Sequence, residues 1–363
     1  MLRIPVRLLT LSLTIALLSC TAKEPVAPPA SPETTTATAK EAKTAETAKD
    51  FPLQAYLPEF HQQIAADAKV EQIADGFTWS EGPAWLAGEQ ALLFTDVPAN
   101  TLYRWSQRDG LQVLLKPSGF AGKDDGSLRE AGANGLFAEP AGTVLLADSG
   151  NRLLARLDPV SKQKTVLAER YQGKRFNSPN DAVRRADGRI YFTDPPYGLA
   201  GIEKSPLREL AFSGVFRLDP DGSVHLIEDG LHFPNGVALS PDGNTLYVAN
   251  SDPDQPIWMA YALDADGAVT ARRELANARD LLGEGAAGLP DGLTVSADGT
   301  LFASAPGGLL VMRADGTRLG RLLTGAAVSN AEFGDDGTLY LTSHQRVLRV
   351  PVKAKGLASP PRD

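Results

Sequence analysis

The chain has 363 residues, enough for one large domain or two ordinary ones, and its 43% hydrophobic content is that of a folded globular protein. Its formal net charge is −8 and it carries no long basic run, which argues against nucleic acid as a partner, because phosphate binding needs a clustered positive face. Cys20 is the single cysteine, so no internal disulfide can form, and the four histidines have no cysteines with which to build a structural zinc site of the Cys/His kind.

At the N-terminus, Arg3 and Arg7 precede the apolar run Leu8 to Leu18, which is too short for a comfortable membrane span and reads as a secretory signal. The run ends in Leu17-Leu18-Ser19-Cys20, which resembles the bacterial lipobox. That resemblance implies cleavage before Cys20 and acylation of its thiol. Residues 1–19 are therefore expected to be a lipoprotein signal peptide, and the mature protein to be exported and lipid-anchored at the bacterial envelope, on its periplasmic face. Thr21, rather than Asp, follows the cysteine and by the same analogy favours the outer membrane. Residues 20–55 are dominated by Ala, Thr, Pro, Lys and Glu and read as a disordered tether. A flexible coil of that length spans on the order of 30 Å. Pro58 to Ala66 (PEFHQQIAA) is expected to form a short helix with proline in its first turn.

From Val70 to about Val352 the chain repeats one unit: an Asn, Asp or Glu beside Gly or Pro, a short apolar alternation, an Asp-Gly or Ala-Gly turn, and a second apolar strand. The clearest copies begin at Pro179-Asn180-Asp181, Pro234-Asn235-Gly236 and Pro290-Asp291-Gly292; weaker ones begin at Glu81-Gly82-Pro83, Ala133-Asn134-Gly135 and Ser329-Asn330. The turns carry the residues that accept positive φ in hairpins. The copies recur about every 40 to 55 residues, the length of a four-stranded blade. The expectation is an all-β fold, a six-bladed β-propeller with a central metal site, over residues 56–355, followed by a tail at 356–363. Radial repetition leaves few exposed edges. Val70-Glu71-Gln72-Ile73 is expected to pair into the last blade and close the ring.

The innermost strands of a propeller line its axis, so equivalent positions in different blades converge. Glu81, Asn134, Asn180, Asn235, Asp291 and Asn330 are all oxygen donors. One such residue is explained by turn formation. A mixed set of carboxylates and amide carbonyls at one structural position is what a hard divalent cation requires, Ca²⁺ first, with Zn²⁺, Mg²⁺ and Mn²⁺ as alternatives. Other signals carry less. Gly283 to Gly288 matches G-x-G-x-x-G outside any βαβ context. There is no G-x-S-x-G. The four tryptophans, Trp79, Trp85, Trp105 and Trp258, read as blade packing.

The run Ser80-Glu81-Gly82-Pro83-Ala84-Trp85, with Asn177-Ser178-Pro179-Asn180-Asp181, Pro234-Asn235-Gly236 and Pro290-Asp291-Gly292, resembles the senescence-marker-protein/gluconolactonase family, also called regucalcin-like or luciferin-regenerating-enzyme-like. The resemblance covers essentially Val70 to Val352. It implies a propeller with a divalent ion on its axis, held by Glu81, Asn235 and Asp291, with Asn180 facing substrate close to the metal. Asn134 is a further candidate for substrate binding. Position 178, an arginine in the animal branch, is Ser178. The implied activity is metal-dependent hydrolysis of lactones. In that mechanism the ion polarises the carbonyl, Asp291 activates water or shuttles the proton, and Asn180 hydrogen-bonds the substrate. The alternatives are a non-catalytic envelope binding propeller and a phosphotriesterase-like hydrolase using the same ion. The expected partners are a small lactone and, through the anchor, a membrane, in a monomeric protein. The long loop from Pro195 to about Phe212 is either a roof over the pocket or an ordinary insertion.

Overall fold

Short alternating strands separated by Gly-containing turns fold by pairing each strand with the next one in sequence, and the chain does this repeatedly. The computed structural model describes residues 51–123, 125–283 and 285–357, together with the strand Lys43–Lys49. The signal peptide, Cys20 and most of the tail lie outside the described residues.

Six antiparallel sheets form the blades. Their innermost strands are Ser80–Leu86, Leu136–Ala138, Ala182–Arg184, Pro234–Leu239, Leu293–Val295 and Asn330–Phe333, in blades 1 to 6. Each blade continues outward through three further strands. In blade 6 the fourth is Val70–Asp75, which pairs with Arg346–Pro351 and closes the ring as expected. The apolar residues of adjacent blades interleave. Leu146 of blade 2 lies in one apolar cluster with Leu86 and Leu93 of blade 1, and Leu310 of blade 5 in another with Trp258 of blade 4. Tyr340 of blade 6 stacks on Trp85 of blade 1, ring centroids 5.0 Å apart, and so seals the closing junction.

Two segments expected to be tether are paired strands instead. Leu53–Ala55 adds an edge to blade 5 against Arg318–Leu323. Lys43–Lys49 adds a fifth strand to blade 6 against Val70–Asp75. KTAETAK has nothing apolar of any size to announce it. An edge strand can be recruited through main-chain hydrogen bonds alone, because the neighbouring edge offers unpaired N–H and C=O groups. The expected short helix is a single turn, Phe60–Gln63, whose Phe60 is wholly buried in the apolar layer between blades 5 and 6.

Candidate active site

All six repeated donors fall at the start of an innermost strand or just ahead of it. Glu81, Asn235 and Asn330 lie in their strands, and Asn134, Asn180 and Asp291 stand two residues before theirs. Hydroxyl side chains tie neighbouring blades together at this level. Thr95 Oγ1 donates to the Asn134 carbonyl (3.0 Å), Ser149 Oγ to Pro179 (2.6 Å) and Thr193 Oγ1 to Asn235 (2.6 Å). Ser251 Oγ donates to the Pro290 carbonyl (2.5 Å), and Ser329 Oγ to that of Ser80 (2.6 Å). Five of the six donors are thus set by the backbone of their own blade and a hydroxyl of the one before; blade 6 receives no such bond, and the blade 5 hydroxyl of Ser304 is buried without a partner among the described residues.

The residue after the donor is glycine in blades 1, 2, 4 and 5, and the axis explains this. A Cβ on Gly82 would lie 2.3 Å from the Asn134 carbonyl oxygen; one on Gly236 would lie 2.3 Å from that of Asp291. In blade 3 the equivalent residue is Asp181, whose carboxylate fills the axis. Its Oδ1 accepts from the Ala182 amide (2.9 Å), and its Oδ2 accepts from Val237 N (3.3 Å) and Asn330 Nδ2 (3.5 Å).

Glu81, from blade 1, is buried, and its charge reaches Asp291, from blade 5. Burial pushes the Glu81 carboxyl up to about 8, with the charges of Asp181 and Glu130 acting in the same direction. Burial also drives Asp291 well above the usual carboxylate range, followed by the charges of Glu81, Asp181 and Glu130. Glu81 Oε1 accepts from Trp79 Nε1 (3.1 Å) and Oε2 from Gly82 N (3.1 Å), so this tryptophan orients a carboxylate as well as packing. Asp291 Oδ1 is buried and has no hydrogen-bond partner among the described residues. Asn235 Nδ2 donates to Ser251 Oγ (3.0 Å), which leaves its side-chain oxygen Oδ1 available.

These residues fit a hard divalent cation. Two desolvated carboxylates destabilise each other unless something positive lies between them. An orphaned Asp291 oxygen and the Asn235 side-chain oxygen are donors of the kind Ca²⁺ takes. Asn134 and Asn180 are buried at the same level, and no described residue occupies their side-chain amides. Asn330 is committed elsewhere: its Oδ1 accepts from Ala331 N (2.8 Å) and its Nδ2 points to Asp181.

Glu130, Asp181, Tyr197 and Glu332 were not singled out from the sequence. Burial raises Glu130 and Asp181 to about 7 and Glu332 to about 8. Asp181 could have been found as the acidic exception to the glycine after the donor. Glu130 and Tyr197 sit on loops outside the repeated unit, where no periodic signal exists. His232, three residues before Asn235, pairs with Asp252 (3.2 Å) and is largely exposed.

Residues 79–345 match the model of the SMP-30/gluconolactonase/LRE-like region. This chain belongs to that family. A gluconolactonase of Zymomonas mobilis is 44% identical over 306 residues, covering 83% of this chain and 86% of the relative. A pentonolactonase of Haloferax volcanii is 28% identical, covering 72% of this chain and 80% of the relative. Among solved structures, a gluconolactonase from Xanthomonas campestris superposes with a TM-score of 0.73 at 32% identity, covering 85% of this chain and 98% of that one. A calcium-binding regucalcin from Agrobacterium tumefaciens shares the fold, with a TM-score of 0.62 at 18% identity over 79% of this chain and 94% of that one. Family membership with relatives of this kind supports lactone hydrolysis.

Proposed function

We propose that this protein is a metal-dependent hydrolase of lactones, gluconolactonase-like, that opens the ring at its ester carbonyl. The observation that carries this reading is the buried, unpartnered Asp291 Oδ1 of blade 5, under the charge of Glu81 from blade 1 and tied through Ser251 to Asn235, whose side-chain carbonyl is unoccupied by any described residue. Glu81, Asn235 and Asp291 would hold the ion, with Asn180 beside them. When bound, a divalent cation supplies Lewis-acid stabilisation of the oxyanion that develops on the lactone carbonyl.

The remaining chemistry belongs to the chain. Asp291 presents a buried oxygen, Oδ1, that no described residue engages, and in this reading its carboxylate takes a proton from the attacking water and returns it to the alkoxide leaving group. The side-chain amides of Asn134 and Asn180 are available to orient the substrate. The buried walls exclude bulk water, which strengthens each of these polar contacts.

The test is Asp291→Asn and Glu81→Gln on purified protein, with metal content measured and lactone opening followed by pH drop, with and without chelator. Both variants should stay folded, bind less than the wild-type metal, and lose at least about a hundredfold in kcat/KM, the scale on which positioned acid–base groups act. Unchanged metal content and rate would reject the assignment. We further propose that the protein is held at the bacterial envelope by acylation of Cys20. A Cys20→Ala variant should then lose metabolic labelling by palmitate and move from the membrane to the soluble fraction, whereas retention in the membrane would exclude the anchor.

A further inference from the structure

Two loops outside the repeat close over the site. The segment 125–132 leads into the innermost strand of blade 2, and the segment 195–213 joins the second and third strands of blade 3. They clasp each other like strands: Arg129 N and Glu130 N both donate to the Gly198 carbonyl (2.9 and 3.2 Å), Ala200 N donates to Ser127 (2.9 Å), and Leu128 bridges Leu199. Ser178 Oγ accepts from Gly198 N (2.8 Å) and so fastens the pair to blade 3. The clasp delivers two polar side chains. The Tyr197 ring stacks on Phe233 of blade 4, centroids 5.3 Å apart and planes 14° apart. Phe233 directly precedes the innermost strand that carries Asn235, so the stacking holds Tyr197 beside that donor. The Glu130 side chain is only 12% exposed, pairs with Arg129 at 3.4 Å, and lies within the field of both Glu81 and Asp291.

A roof that served only to exclude water would be cheaper to build from apolar side chains, since a desolvated carboxylate costs free energy unless it is hydrogen-bonded. Glu130 adds an acidic group to a neighbourhood that already holds Glu81, Asp181 and Asp291. Such a group is useful as an acceptor of ligand hydroxyls, because a carboxylate offers about four lone-pair sites and charge-assisted bonds are the strong ones. The ester group is common to all lactones and is handled on the floor of the pocket. The roof is where lactones differ.

We propose that Glu130 and Tyr197 are specificity-determining residues that hydrogen-bond ring hydroxyls of the substrate and so select polyhydroxylated lactones over unsubstituted ones. The proposal deepens the lactonase reading and rests on it for the identity of the ring.

The test uses non-hydrolysable lactams, so that binding is read apart from hydrolysis. Saturation-transfer NMR titrations of the wild-type protein with glucono-δ-lactam and with unsubstituted δ-valerolactam should show preference for the former. Glu130→Leu and Tyr197→Phe should each reduce that preference about tenfold, the worth of one hydrogen bond to a charged or well-placed group, and leave valerolactam binding in place. Glu130→Gln, which keeps an acceptor, should lose less than Glu130→Leu. Tyr197→Phe deletes one oxygen from a stacked ring and serves if the leucine variant misfolds. Equal affinity of the wild type for the two lactams, or equal weakening of both in the variants, overturns the proposal. A wild type that prefers the hydroxylated lactam but opens no lactone supports the roof and sinks the lactonase reading instead.

Discussion

Gly236 shows how tightly the axis fixes its donors. A methyl group there would lie 2.3 Å from the Asp291 carbonyl oxygen and 2.5 Å from Gly292 Cα, and both obstacles are backbone. Neither can swing aside as a side-chain tip could. Gly236→Ala should therefore cost about 1–3 kcal/mol, as overpacking does. It should also push Asp291 out of line with Glu81, so kcat for lactone opening should fall more than KM rises. Urea unfolding and steady-state kinetics measure the two effects, and an alanine variant with wild-type midpoint and kcat would show that the axis has slack. The same crowding explains why the sequence shows Glu-Gly, Asn-Gly, Asn-Gly and Asp-Gly in blades 1, 2, 4 and 5. The sequence shows those glycines beside the repeated donors without showing why they must be glycine. The decisive reason is the approach of the neighbouring strand, which no single sequence displays.

At the scale of the blade, the stitch is a hydroxyl reaching across a junction. Thr193 Oγ1 donates to the Asn235 carbonyl at 2.6 Å and accepts from Asp181 N at 3.2 Å, so it joins blade 3 to blade 4 at the level of the site. Thr193→Val keeps the shape and deletes both bonds, leaving a buried carbonyl and a buried amide to be satisfied elsewhere. A cost of about 1–3 kcal/mol follows for an unpaired buried group. Metal affinity should weaken with it, because the freed carbonyl belongs to Asn235. Equilibrium denaturation and a metal titration check this, and a valine variant with unchanged stability would mean that the stitch carries no weight. The blades themselves were legible in the sequence because strand, turn and strand recur with one pattern, and side chains facing the core must alternate in each. Outside the repeat that constraint vanishes. Glu130 and Tyr197 lie on connecting loops whose course depends on each other, and Lys43–Lys49 is held by main-chain pairing to Val70–Asp75, which leaves no apolar trace in the residues.

The closed ring gathers acidic groups from its blades and from the loop that carries Glu130. Burial raises Glu81 and Glu332 to about 8 and Glu130 and Asp181 to about 7, and it raises Asp291 also, against ordinary values of 4.5 for Glu and 3.8 for Asp. The sign of the linkage follows. Once pH exceeds the ordinary values, the unfolded chain has released protons that the folded chain still holds, so raising pH favours unfolding until the folded groups have titrated as well. Protein treated with chelator should therefore melt at progressively lower temperature from about pH 5 to about pH 8. A divalent cation binds the deprotonated carboxylates and only in the folded state, so its stabilisation should be small at the acidic end and large at the alkaline end. Glu81→Gln removes one of the titrating groups and should flatten the chelated profile. It should not abolish the slope, because Asp194, buried in blade 3 and raised to about 7, titrates in the same window without belonging to the cation set. Calorimetric melts across that range, with and without added Ca²⁺, read all three effects. A chelated melting temperature that holds level or climbs between pH 5 and pH 8 would mean that these carboxyls do not share a desolvated axis. The case for a cation at Glu81 and Asp291 would fall with it.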